Sequence, residues 1–103
     1  MALKIVAQAV SSASLVDVYT ATSDVMLRSL SVCNRAGTAA SFRLSVASNG
    51  EADANKQYLF YDLPIVPNDS FTSSLEIGLI AGDVVRFYGS NTNMSLTLFG
   101  ESQ

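Results

Sequence analysis

The chain has 103 residues, 49% hydrophobic and 15% charged, and its 9 acidic and 6 basic side chains give a formal net charge of −3. With no histidine and a single cysteine, Cys33, the chain cannot build a zinc site, a thiol–imidazole nucleophile or an intrachain disulfide. Its length accommodates one domain, its acidic balance argues against nucleic-acid capture, and its apolar runs are shorter than a membrane helix needs.

Apolar residues alternate with serine and threonine along most of the chain, which is the period-two pattern of half-buried strands. The pattern predicts strands at residues 3–10, 15–20, 25–34, 41–46, 57–63, 70–79, 84–90 and 94–99. Short strands at this spacing are typical of sandwiches and barrels. We therefore predict an all-β fold over residues 1–103: a single antiparallel, jelly-roll-like β-sandwich of about eight strands.

Two of the predicted strands depart from simple alternation. In the third strand Arg28 interrupts an apolar face, where its aliphatic stem can pack while the guanidinium reaches a carboxylate or solvent. The fifth strand is apolar on both faces and therefore needs cover on each side. The segment from Pro64 to Asn68 is expected to end that strand, because proline cannot donate to the ladder.

The predicted core contains four phenylalanines: Phe42, Phe71, Phe87 and Phe99. Several polar residues are interpreted as structural. Asn34 and Arg35 are expected to close the third strand by bonding backbone at the following turn. Asp69 and Asp83 lie in turn sequences, where an aspartate side chain accepts bonds from nearby backbone amides. Arg43 is expected to be an ion-pair partner at an interface.

Acidic residues near two loops are candidates for chemistry, but a structural interpretation is favoured for both sets. Asp62 and Asp69 flank the proline loop, as a general acid and base would have to flank a substrate. Glu51, Asp53 and Asn55 alternate as oxygen ligands of calcium do, but the glycine and closing glutamate of a calcium loop are missing. We predict no catalytic residue, metal ligand or cofactor.

Tyr58 and Tyr61 are candidates for a carbohydrate platform, because flat rings stack on sugar faces and tyrosine offers a polar tip. Residues three apart on a regular strand face opposite sides of the sheet, so both rings share a face only if the strand is bulged. Packing in the core or an interface is the favoured interpretation. A carbohydrate-binding receptor-recognition module remains an alternative, and it predicts an exposed pair of coplanar rings.

Strand ends and turns carry a resemblance to a known family. The segments concerned are Val18–Thr20, Ser31–Arg35, Phe42–Arg43, Tyr58–Asp62, Pro67–Asp69, Gly82–Val85 and Leu98–Gly100. Over nearly the whole chain they resemble a family of small virion structural proteins of tailed bacteriophages and prophages, seen often in cyanophages. The chain departs from the family after Thr20, where Ala21–Asp24 replaces a turn of the Pro-Ala-Gly type.

The resemblance implies a non-enzymatic building block of the phage particle. We favour an accessory tail, collar or baseplate component or a fibre adaptor; the alternative placement is a capsid decoration, or cement, protein. The implied location is the virion, and the implied partners are other virion proteins and copies of this chain as a homo-oligomer, with no nucleic acid or membrane. Residues 1–10 are expected to form an arm or edge strand that pairs with a neighbour's open sheet edge.

Overall fold

The computed structural model describes residues 3–12 and 14–102. Its strands are β1 (Lys4–Val10), β2 (Val16–Thr20), β3 (Val25–Asn34), β4 (Ala40–Ala47), β5 (Tyr58–Ile65), β6 (Asp69–Leu79), β7 (Val84–Gly89) and β8 (Met94–Ser102). Two short 3-10 turns, Ser48–Gly50 and Asn55–Gln57, lie between β4 and β5. No helix in the described ranges is long and apolar enough to cross a membrane.

The strands form two four-stranded antiparallel sheets. Sheet A has the order β1-β8-β3-β6 and sheet B the order β2-β7-β4-β5. The pairs β1/β8, β2/β7, β3/β6 and β4/β5 are those of one long hairpin folded over on itself, which is the jelly-roll arrangement. The predicted all-β antiparallel sandwich of about eight strands is confirmed.

The core lies between the sheets and contains the inward side chains of both. Phe42 and Phe87 are fully buried, as predicted. Phe71 packs against the core from β6, with its ring centroid 6.0 Å from that of Phe42. The core prediction is wrong for Phe99: it follows Leu98, whose side chain is fully buried, so Phe99 faces outward and is half-buried.

Strand β5 continues through Pro64 to Ile65, beyond the predicted end at Leu63. Because β5 is an edge strand of sheet B, proline can occupy it without removing an N–H from a central ladder. Pro64 is opposite Ser41 of β4, and Ile65 then points inward and is buried. The proline loop therefore begins later than the sequence pattern indicated.

Residues 4–10 pair with β8 of the same chain and so form an edge strand of sheet A. Pairing of this strand with a neighbouring subunit stays a prediction. Of the rest of the predicted arm, Leu3 precedes the strand and is exposed, and Met1 and Ala2 lie outside the described residues.

Each edge strand of the two sheets contains a β-bulge. Extra residues interrupt the ladder at Val6 in β1, at Val18 in β2, at Leu75–Glu76 in β6, and at Leu59 and Tyr61–Asp62 in β5. A bulge twists an edge and breaks the regular row of backbone donors and acceptors that another strand would need.

Gly100 in β8 provides a test of the packing between β1, β8 and β3. A Cβ added there would overlap the backbone carbonyl of Met26 and come within 3.0 Å of the Val6 side chain, whereas nothing lies within 4 Å of a Cβ added at Gly37. We expect Gly100→Ala to lower the free energy of unfolding by about 1–3 kcal/mol. The control Gly37→Ala should change it by less than about 0.5 kcal/mol. Urea denaturation compares them, and equal midpoints would contradict the packing described.

Candidate functional site

The outer face of sheet B carries charged and aromatic side chains in two rows across the strands. The strand register places four residues side by side in the first row: Asp17, Arg86, Ser45 and Tyr58. In the second row Tyr88 of β7 is opposite Arg43 of β4, which in turn faces the β5 bulge at Tyr61–Asp62. Residues from four strands thus meet on one surface.

Arg43 is the centre of the second row. Its Nε lies 2.6 Å from Asp62 Oδ1 and its Nη2 lies 3.2 Å from Asp62 Oδ2, so the ion pair is bidentate. Its Cζ also lies 4.1 Å from the ring centroid of Tyr61 and 5.0 Å from that of Tyr88. The hydrogen bond from Arg43 holds the pKa of Asp62 below its ordinary value. The ion pair predicted for Arg43 at an interface is therefore made within the chain.

The bulges in β5 bring Tyr58 and Tyr61 onto the same face of sheet B. Asp62 adopts a left-handed backbone conformation with φ of 55°, and two residues, Tyr61 and Asp62, occupy the space opposite Arg43. The two tyrosine ring centroids lie 5.1 Å apart with the planes at 87°. The rings therefore form a corner, and the coplanar platform predicted for a carbohydrate module is not present.

A shallow pocket of about 350 Å³ lies at this corner and is lined by Asn55, Tyr58 and Tyr61. The 3-10 turn that carries Asn55 is held by Gln57, a buried residue that the sequence pattern did not single out. Gln57 Nε2 donates to the Ala52 carbonyl at 2.8 Å. Partial burial raises the pKa of the Tyr58 hydroxyl, and the nearby carboxylate of Asp53 raises it further.

Asn34, at the end of β3, connects two turns. Its side-chain Nδ2 donates to the carbonyls of Thr38 at 2.9 Å and Ile65 at 3.2 Å, and its Oδ1 accepts from the Ala36 N–H at 3.1 Å. The side chain is fully buried, so these bonds satisfy groups that water cannot reach. Asn34 does bond backbone at the following turn, and it also reaches the end of β5.

The two aspartates predicted in turns bond backbone amides in the structure. Asp83 Oδ1 accepts from the Asn49 N–H at 2.9 Å, and its Oδ2 accepts from the Ile80 N–H at 3.0 Å. These bonds hold the pKa of Asp83 below its ordinary value. Asp69 Oδ1 accepts from the N–H of its neighbour Ser70 at 2.8 Å. Asp83 therefore joins two loops, whereas Asp69 acts locally.

The two arginines of β3 and its turn bond side chains of β8. The Nε of Arg35 donates to Ser95 Oγ at 2.8 Å, so its side chain does not make the backbone bond that was expected. Its own backbone N–H instead donates to the Asn93 carbonyl at 2.9 Å. Arg28 lies at an irregularity of β3 and reaches a carboxylate, Glu101, at 3.2 Å.

The chain was compared with known proteins by sequence and by structure. No protein-family model and no curated protein sequence matches the chain. The fold is similar to part of a chain in the structure of infectious bursal disease virus, Gx strain, with a TM-score of 0.53 and 8% sequence identity. The match covers 95% of this chain and 32% of that chain, so this chain spans about a third of its structural neighbour. Such a likeness shows a shared fold.

Replacing Asn34 tests its role as a buried connector. We expect Asn34→Ala to lower the free energy of unfolding by about 1–3 kcal/mol, because buried carbonyls would lose their donor. The control Ser31→Ala, on the outer face of the same strand, should change it by less than about 0.5 kcal/mol. Urea denaturation measures both, and an unchanged midpoint for Asn34→Ala would show that its hydrogen bonds do not stabilise the fold.

The lowered pKa of Asp83 predicts a pH-dependent contribution to stability. A carboxyl group with a depressed pKa in the folded state stabilises fully above its unfolded-state pKa, near 3.8, and loses this contribution as the pH falls through the folded-state pKa. We expect Asp83→Ala to cost about 1 kcal/mol at neutral pH and less below about pH 3. Thermal melts at both pH values measure this, with exposed Asp24→Ala as the control. A cost independent of pH would contradict the role of the ionised carboxylate.

Proposed function

We propose that this chain is a non-enzymatic structural protein of a tailed-bacteriophage virion and acts through contacts between subunits. One observation carries the proposal: the whole described chain is an eight-stranded jelly roll, a fold used by viral capsid domains, and it is similar to part of a chain in a virus structure. The sequence resemblance to small phage virion proteins supports the same conclusion. Virion structural proteins assemble through contacts between proteins, so the proposal requires that this chain have a surface suited to such a contact.

The outer face of sheet A is uncharged at its centre. Most central positions of β3, β6 and β8 on this face are small and uncharged: Ser29, Ser31, Cys33, Ser70, Thr72, Ser74, Ser95 and Thr97. Phe99 of β8 lies beside Ser29 on the same face. Charged groups lie towards its ends, where Arg28 pairs with Glu101 and Arg35 bonds Ser95. Centres of protein interfaces are depleted in Lys, Glu and Asp and enriched in aromatic residues. The centre of this face lacks charged side chains and includes Phe99, and these two features favour contact with a neighbouring subunit.

Exposed apolar side chains on β1 extend the same face. Ile5 is 55% exposed and is opposite Phe99 in the register, and Val10 is 58% exposed and is opposite Ser95. Covering these side chains with a neighbour would remove apolar surface from water. This gain favours a homo-oligomer or attachment to another virion protein.

The carboxylates of Asp62, Asp69 and Asp83 already make hydrogen bonds or ion pairs within the chain, and this supports a role without catalysis. A general acid at neutral pH needs a raised pKa, whereas the bonds to Asp62 and Asp83 lower the pKa of each. Asp69, the second member of the pair considered from the sequence, bonds backbone. These side chains stabilise the structure through the bonds that they already make.

Two placements in the particle are distinguished by copy number. We favour an accessory tail, collar or baseplate component or a fibre adaptor, which would be present in small multiples set by the symmetry of the ring. A cement protein on the capsid would be present in hundreds of copies. Quantitative mass spectrometry of purified particles counts the chain, and its absence from particles would contradict the proposed function.

A charge placed at the centre of the sheet A face tests the contact. We expect Ser31→Arg to abolish association of the purified chain and its incorporation into particles, because an unpaired charge would have to be desolvated. The control Thr22→Arg adds the same charge in an exposed turn and should retain both. Sedimentation velocity and particle composition measure the outcome, with melting temperature as a check of folding. Full incorporation of a folded Ser31→Arg chain would exclude this face.

A further inference from the structure

Tyr61 on the outer face of sheet B is exposed and yet held in place. The residue is 58% exposed. The Cζ atom of Arg43 lies 4.1 Å from the centroid of the Tyr61 ring, and the Tyr58 ring meets it edge to face with the two centroids 5.1 Å apart. The bidentate bond to Asp62 in turn holds Arg43. An aromatic ring that is already immobilised loses little conformational entropy when a ligand packs against it.

The β5 backbone is distorted at the point that directs this ring outward. Phe60 and Leu63 both pack inward, so the bulge between them leaves Tyr61 and Asp62 together on the outer face. Asp62 has a φ of 55°, a conformation that most residues with a side chain disfavour. Bulges that redirect side chains are frequent next to functional sites, and this one places Tyr61 beside Tyr58.

The lining of the pocket has the chemistry of a sugar site. Aromatic rings from Tyr58 and Tyr61 offer apolar surface, and the amide of Asn55 offers both a donor and an acceptor. Asp53 adds a carboxylate close to the Tyr58 hydroxyl. A few placed polar groups on an apolar lining are typical of small-molecule sites. Because the rings are perpendicular, one can stack on a sugar face while the other forms a wall.

We propose that Asn55, Tyr58 and Tyr61 form a binding site for a single neutral pyranose residue. The volume of about 350 Å³ is sufficient for one sugar ring at an open surface. The charge of Asp62 is balanced by its ion pair with Arg43, so Asp53 is the acidic side chain near the site that disfavours a negatively charged sugar. This site is on sheet B, opposite the proposed contact face of sheet A. The sugar-site proposal is therefore independent of the structural role, and a negative binding result would leave that role unaffected.

Nuclear magnetic resonance titration of the ¹⁵N-labelled chain tests the site. The probes are the methyl glycosides of glucose, galactose and N-acetylglucosamine, with methyl glucuronide as the charged comparison. We expect at least one neutral glycoside to give saturable shifts centred on the amides of Asn55, Tyr58 and Tyr61. The expected dissociation constant is on the order of 1 mM, as is reasonable for a ligand of about a dozen heavy atoms. The glucuronide should bind more weakly.

Three variants separate stacking from general effects on the surface. Tyr61→Leu should weaken binding at least about tenfold, and Tyr61→Phe should retain most of it because the ring is kept. Tyr88→Leu is the matched control, since Tyr88 lies near Arg43 but does not line the pocket. The proposal is overturned if no neutral glycoside gives saturable shifts at the pocket, or if folded Tyr61→Leu binds as well as the wild type. Saturation by a proline-rich peptide alone would assign the pocket to a protein partner and also overturn it.

Discussion

Contact between the two sheets through one group of phenylalanines is the interaction on which the rest of the structure depends. Phe42 of sheet B lies at its centre, with ring centroids of Phe60, Phe71 and Phe87 at 5.6, 6.0 and 6.1 Å. Phe71 belongs to sheet A, so these contacts bridge the sheets. Each buried phenylalanine contributes about 1.5–3 kcal/mol relative to exposure, and the group holds β5 against the core. The outward side of β5, with its tyrosines, is positioned by that inward packing.

Much of this architecture could be predicted because strand alternation is local. Phe42 and Leu44 point inward and Arg43 points outward wherever the strand lies in the sheet. Sheet order and register depend on contacts between distant segments, and a pattern of apolar residues does not contain them. The position of a bulge also depends on the partner strand. One extra residue in β5 decides whether Tyr58 and Tyr61 share a face. The error at Phe99 has a different, local cause. The alternation of Met94, Leu96 and Leu98 already places Phe99 on the outward side of β8, and the prediction followed its hydrophobicity instead of its position.

In the candidate site, too, contacts within a turn could be predicted from the sequence, whereas contacts between distant segments could not. Turn roles for Asn34 and Asp83 follow from short-range chemistry, in which a small polar side chain reaches nearby backbone. Their second partners, the Ile65 carbonyl and the Asn49 N–H, come from other parts of the chain and were not foreseen. Gln57 could have been suspected only as a polar residue directly before an apolar strand. The stacking of Arg43 on tyrosines of two other strands required the fold itself.

The interrupted edge strands have a consequence for how such a chain behaves when it is crowded. A jelly roll with four straight edges would offer templates for cross-β stacking, and a protein produced in many copies would risk fibril formation. The bulge in each edge strand interrupts the row of backbone donors and acceptors, and this hinders continuous pairing with a second chain. Any attachment of a second chain would then depend on matching side chains, and such contacts are selective and reversible.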